Sequence, residues 1–208
     1  TPLAVLKAQV QSARRGDVPP AQALQEIDTT VDRATELANQ MLALAKVEQL
    51  RHQGEAPVVD WEPVLRAVAL DVAPLVADRR LDFELQTAPA RVRAHEWSLR
   101  ELARNLLHNA IKHTPPGGLL AIRLACSGGQ AVLTVDDGGP GIGDGQRQRL
   151  FQPFAAGDPR SGSGLGLAIC QEIVHGAGGA IALDNRLERG RTAGLRALVR
   201  LPLADNAA

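Results

Sequence analysis

Residues 101–115 read ELARNLLHNAIKHTP. Leu102, Leu106 and Ala110 recur at helical spacing, and Asn105 and Asn109 stand four apart beside them. Four residues is slightly more than one turn, so both amides face the same way. Lys112 and His113 carry that polar stripe a turn further, and the TPPGG that follows ends the helix. An amide oxygen is a hard ligand suited to Mg²⁺, and Lys112 can neutralise phosphate as a point charge. Paired amides on a helix also satisfy neighbouring backbone, and the stripe alone does not choose between these uses.

Two glycine-rich stretches follow. In VDDGGPGIG (135–143) an acid at a strand end precedes glycines, which let backbone approach a flat ligand closely. Asp137 there can accept a hydrogen bond from the exocyclic amine of adenine. An ordinary turn with capping acids fits the same nine residues. In RSGSGLGLAIC (160–170), Ser163 and Gly164 precede a helix beginning near Leu165. Its free N–H groups and dipole make that terminus an anion site. The lysine of a P-loop is missing, and no parallel strand–helix–strand unit marks a dinucleotide fold.

The remaining composition is quiet. The 208 residues carry 23 basic and 23 acidic side chains, and aromatics make up 2%. Without a basic block or stacking rings, a nucleic-acid surface is not expected. Cys126 and Cys170 lie in apolar runs with no CxxC spacing, which favours buried thiols over a disulfide. No apolar run is long enough to cross a bilayer. The chain opens on Thr1 rather than Met, so a fragment of a longer protein is expected, with any membrane span upstream.

Along the chain, Leu3, Leu6, Val10 and Ala13 mark a first helix, which GDVPP (16–20) breaks. A second helix runs from Ala21 to about Gln49. It carries Leu24, Ile27, Val31, Ala34, Ala38, Met41 and Ala45 as a heptad seam, widened by Leu37 and Leu44. Two helices cannot bury two such stripes well. A second copy, giving a homodimeric four-helix bundle through residues 3–50, is the expected partner; a hairpin packed on its own domain is the other solution. QGEAPVVD (53–60) reads as a linker between a unit at 1–53 and one at 58–208. Asp60 then caps a helix to about Arg79, kinked at Pro74. Strands are expected at 81–85, 91–94, 119–127, 130–137, 181–185 and 195–201, with helices at 96–113, near Gln146–Leu150, and at 163–175. Helices on one face of a mixed sheet make the larger unit an α/β sandwich and the chain α+β.

Taken in order, these clusters resemble the dimerisation and catalytic ATP-binding domains of sensor histidine kinases. ELARNLLHNAIKHTP looks like that family's N box, DDGGPGI (136–142) its G1 box, LFQPF (150–154) its F box and GSGLGLAI (162–169) its G2 box. RTAGLRALVRLP (191–202) looks like the closing strand, and TPLAVLK (1–7) like the helix segment just after the phosphoacceptor His-Glu-Leu-Arg. The resemblance implies a Bergerat-type ATP-binding fold, with ATP and Mg²⁺ bound. Asn109 would ligate the metal with Asn105 beside it, and Lys112 would meet phosphate. His113 stands where a tyrosine is usual and would stack on the nucleotide, unless it only packs.

By the same resemblance Asp137 would recognise adenine, with Gly139 and Gly141 shaping its pocket and Ile142 on the wall. Residues 151–162 would form a lid that includes Phe151 and Arg160, the latter standing in for a missing phosphate cation. Gly162, Ser163, Gly164, Leu165, Gly166 and Leu167 would cradle the phosphates. The activity implied is transfer of the ATP γ-phosphoryl group to a histidine and then to an aspartate of a response regulator. Thr1 matches a position that helps dephosphorylate the regulator. The acceptor histidine would lie four residues before Thr1, so this stretch alone binds nucleotide without phosphorylating itself. The parent would be a bacterial inner-membrane sensor and this its cytoplasmic part. An ATP-responsive dimer that transfers no phosphate is the alternative reading. Related ATPases use a glutamate at the position of Asn105 to activate water, and an amide cannot do so.

Overall fold

The computed structural model describes residues 2–143, 145, 149–153 and 164–204. Thr1, Arg160, Gly162 and Ser163 lie outside them, as do residues 146–148 of the short helix expected there. The chain opens with a helical hairpin, α1 (Pro2–Arg15) and α2 (Pro20–Arg51). Pro20 starts α2 where a missing N–H costs nothing. Then come β1 (Val58–Asp60), α3 (Trp61–Asp71), α4 (Ala73–Asp78), β2 (Asp82–Thr87) and β3 (Arg91–Arg93). The long helix α5 (Glu96–His113) leads into β4 (Leu119–Ser127) and β5 (Gln130–Asp137). Helix α6 (Gly166–Gly176), β6 (Ala180–Glu188) and β7 (Arg191–Pro202) close the chain.

Five strands form one mixed sheet in the order β2-β4-β5-β7-β6, with only β2 and β4 parallel. Helices α3, α5 and α6 bury its inner face, with Trp61, Leu99, Leu102, Leu107, Leu120, Leu133 and Ile169 essentially inaccessible. This is the expected α+β sandwich. Three details differ from expectation. Residues 58–60 belong to no linker: β1 pairs antiparallel with β3 in a small second sheet. The single helix expected to Arg79 is two, because the chain breaks at Val72 and Pro74 falls in the first turn of α4. Helix α6 starts at Gly166, later than residue 163.

The hairpin divides its apolar stripe between two uses. Ala43 and Val47 are buried in the main core, and Leu37 and Leu44 pack against it. Lys46 Nζ stands 4.4 Å over the Trp97 ring, and Arg51 meets Glu172 at 3.9 Å. Leu24, Val31 and Met41 stay exposed, so the single copy leaves most of the heptad seam uncovered. Among the described residues no helix is long and apolar enough to cross a membrane.

One backbone position is decided by the site it borders. Gly194 holds φ +150°, and a Cβ there would run into the carbonyl oxygen of Asp137. Gly194→Ala is expected to cost about 2 kcal/mol of stability, from strain and displacement of β5. Urea unfolding of the two proteins measures it.

Candidate functional site

Helix α5, the end of β5 and the start of α6 meet at one edge of the sandwich. The charges of the helix suit its dipole: Glu96 lies in its first turn and Lys112 in its last. Thr114 ends it, donating its hydroxyl to Ala110 O at 2.7 Å. Arg79 then reaches over from the end of α4, and its Nη1 donates to the carbonyls of Ile111 and Lys112 at 3.0 Å each. Those are the last carbonyls of α5, left without helical partners.

The two asparagines are in different states. The Asn105 amide nitrogen donates to Glu101 O and to Glu101 Oε1, both at 2.9 Å. A Cβ placed on Gly166 would lie 3.0 Å from Asn105 Oδ1, so the oxygen faces the start of α6. Among the described residues the Asn109 side chain makes no hydrogen bond, although it is half-buried. Lys112 and His113 are exposed on the last turn. Partial burial and then the Lys112 charge push the His113 imidazole below its ordinary pKa, so the ring is neutral at pH 7.

The paired acids of VDDGG are sorted by strand alternation. Asp136 is taken by arginine: Arg196 Nε and Nη2 donate to its two oxygens at 2.7 Å each. Asp137 faces the other way and is 6% exposed. Its Oδ1 accepts from Gly139 N at 2.8 Å and Leu195 N at 3.0 Å, while Arg186 Nη1 donates to its carbonyl at 2.9 Å. Every one of these side-chain bonds falls on Oδ1, which leaves Oδ2 for another donor. Burial raises the Asp137 pKa, against the pull of the Gly139 and Leu195 amides.

The glycines allow close approach. A Cβ on Gly139 would sit 3.0 Å from His113 O, which is how tightly this loop closes on the end of α5. Gly141 has φ +73°, and a Cβ there would press on Thr192 and Asn185. Asn185 holds the next residue like a strand partner. Its Oδ1 accepts from Ile142 N at 2.7 Å and its Nδ2 donates to Ile142 O at 2.9 Å. Ile142 is thereby pinned against the core as a wall.

Not every expected ligand residue points into this edge. Leu165 is 1% exposed, so its side chain packs the core while its backbone heads α6; Leu167 likewise packs on the core. Phe151 lies against the hairpin, in a cleft shared with Leu44, Val47 and Ala168. Gly164 precedes α6 with φ +70°, and the first N–H groups of that helix have no helical acceptor. Conversely, Asn185, Arg186, Thr192 and Leu195 shape the Asp137 side of the site and were not foreseen.

The arrangement brings together a fixed acceptor at Asp137, a helix start whose first N–H groups have no helical acceptor, and the Asn109 amide, which has no hydrogen bond among the described residues. Residues 94–205 match the family described as histidine kinase-, DNA gyrase B-, and HSP90-like ATPases. The chain is 35% identical over 198 residues to the sensor protein kinase PmrB of Pseudomonas aeruginosa, covering 90% of this chain and 40% of that protein. The chain thus spans less than half the length of the curated relatives it matches. It is 33% identical to the solved mycobacterial sensor histidine kinase MprB, covering 71% of this chain and 97% of that one, with a TM-score of 0.65. Full-length ShkA, solved in complex with AMPPNP, is 26% identical over 91% of this chain and 40% of that one, with a TM-score of 0.72. The order of the amide helix, the aspartate turn and the glycine helix start agrees with these likenesses, and the chain belongs to the sensor histidine kinases.

Proposed function

We propose that this edge binds ATP with Mg²⁺ and presents the γ-phosphoryl group to a histidine. The observation that carries the reading is the contrast between the two aspartates. Asp136 is spent on Arg196, whereas Asp137 is buried with one oxygen fixed by backbone and the other left for a ligand. A buried acceptor fixed by backbone amides suits the exocyclic amine of adenine, and guanine has no donor there. The binding of AMPPNP by ShkA supports a nucleotide in the corresponding place.

The donor set fits the metal as well. Among the described residues no three His, Cys, Asp or Glu side chains converge as metal ligands. Mg²⁺ needs none of these, since it takes oxygen from water, phosphate and one or two protein groups. Asn109 is the oxygen we assign to it, with Asn105 alongside. The ion, when bound, neutralises charge building on the phosphates. Lys112 and the N–H groups at the head of α6 orient the phosphate chain, and the amide of Asn105 leaves water without a base. Phosphoryl transfer needs mainly such positioning.

None of the five histidines lies on the hairpin's facing helices: His52 caps the end of α2, His95 precedes α5, and the others are on α5 and α6. The acceptor imidazole is therefore supplied from outside these residues, and onward transfer to a response regulator follows as part of the same proposal. The exposed Leu24, Val31 and Met41 stripe is assigned to a second copy of the hairpin. Sedimentation is expected to show a dimer, and Leu24→Glu with Val31→Glu to shift it to monomer.

Phosphate transfer is tested on the parent protein with labelled ATP and Mg²⁺. The expected product keeps its label in alkali and loses it in acid. A parent that binds ATP and gains no such label supports an ATP-responsive dimer instead.

A further inference from the structure

We propose that Glu101 is a positioning residue that sets which way the Asn105 amide points. The inference rests on the nucleotide-site reading above and adds a residue to it. Glu101 is charged yet only 6% exposed, and it sits one turn before Asn105 on α5. Its backbone and side-chain oxygens both accept from Asn105 Nδ2 at 2.9 Å. The same Oε1 accepts from Arg104 Nη2 at 3.0 Å, and the Arg104 side chain lies half in solvent.

The logic is one of donor and acceptor. An asparagine amide has two nearly isosteric ends, and a ligand meets either oxygen or nitrogen depending on its rotation. With two oxygens of Glu101 at one end, only the nitrogen fits there. A flipped amide would set its oxygen against both, replacing two hydrogen bonds with contacts between acceptors. The oxygen is thereby turned toward Gly166 and the head of α6, where the phosphates are proposed to lie. A glutamate suits this task because its oxygens accept from the amide nitrogen while one of them also accepts from Arg104.

The test uses the 208-residue chain, with ATP and Mg²⁺ titrated by calorimetry. Glu101→Leu removes the acceptor and keeps much of the volume. It is expected to weaken ATP binding about tenfold, as expected for loss of a charge-assisted hydrogen bond at the site. Glu101→Gln, whose carbonyl still accepts from Asn105, is expected to stay within about threefold of the parent. Asn105→Ala should match Glu101→Leu, and the double variant should be no worse than either alone, since both changes remove one interaction. Additive losses, or a Glu101→Leu protein that binds as well as the parent while Asn105→Ala does not, overturn the proposal alone. A parent chain that binds no ATP overturns the site and this proposal with it.

A second readout needs no change at Glu101. In nitrogen-15 spectra of the unliganded chain, the Asn105 side-chain amide should exchange with water more slowly than that of Asn109, which has no partner among the described residues. Equal exchange at the two amides would show that Glu101 does not hold Asn105.

Discussion

Replacing Asp137 with asparagine is expected to weaken ATP binding about a hundredfold and to erase the preference for ATP over GTP. The change is nearly isosteric. The asparagine oxygen can still take the Gly139 and Leu195 amides that now share Oδ1, so the loop keeps its anchor. What reverses is the other end. Where the carboxylate offered an acceptor to the ligand, the asparagine presents N–H groups, which oppose the exocyclic amine of adenine and match the carbonyl of guanine. Calorimetry with the two nucleotides reads both effects. An unchanged ratio of affinities would remove Asp137 from base recognition.

The same substitution separates binding from folding through its pH dependence. Burial holds the folded-state pKa of Asp137 above the ordinary carboxylate value. A raised carboxyl pKa means that the folded state binds the proton more tightly. The associated stability is present below the unfolded value and is lost as pH rises through the folded one. At pH 7 the unliganded parent therefore carries the cost of a buried charge, which asparagine does not. The Asp137→Asn chain should melt no lower than the parent at pH 7, and the difference should shrink as both are acidified toward pH 4. A hundredfold loss of ATP affinity in a chain that is at least as stable cannot be ascribed to unfolding.

The second large effect is expected at Asn109. Its amide is half-buried, sits a turn beyond Asn105 and has no side-chain partner among the described residues. Asn109→Ala should make ATP affinity independent of Mg²⁺, because the metal then has no protein ligand to favour the complex. In the parent protein, phosphoryl transfer should fall by about 10²–10³, the usual scale for one group that stabilises transition-state charge. Unfolding is not expected, since the substitution breaks no bond within the described residues. Affinity that still rises with Mg²⁺ in this variant would assign the metal elsewhere.

Residues that act through their side chains on one short element were readable from the sequence. The stripe of Asn105, Asn109 and Lys112 follows from helical period, and Asp137 stands out as an acid at a strand end before glycines. The other half of the pocket was not readable, for a physical reason. Leu195 contributes a backbone N–H to Asp137 across β5 and β7, and any residue but proline supplies one. Asn185 reaches Ile142 from 43 positions along the chain, and no local pattern announces that pairing.

Glu101 was hidden differently. It lies inside the quoted motif, but an acid on a helix reads as solvated surface until its burial is known. The β1 strand reads as linker in the sequence because three residues between Pro57 and Trp61 hold no period to detect. The hairpin seam was legible as a seam. That the seam stays exposed while Ala43 and Val47 beside it are buried depends on how the two parts of the chain dock, and nothing in the sequence says so.

The most direct measurement is an ATP titration of this chain by calorimetry, with Mg²⁺ and with chelator. One saturable site per chain, tighter with the metal present, is the predicted result. A folded protein giving no binding heat with millimolar ATP in either condition would contradict it.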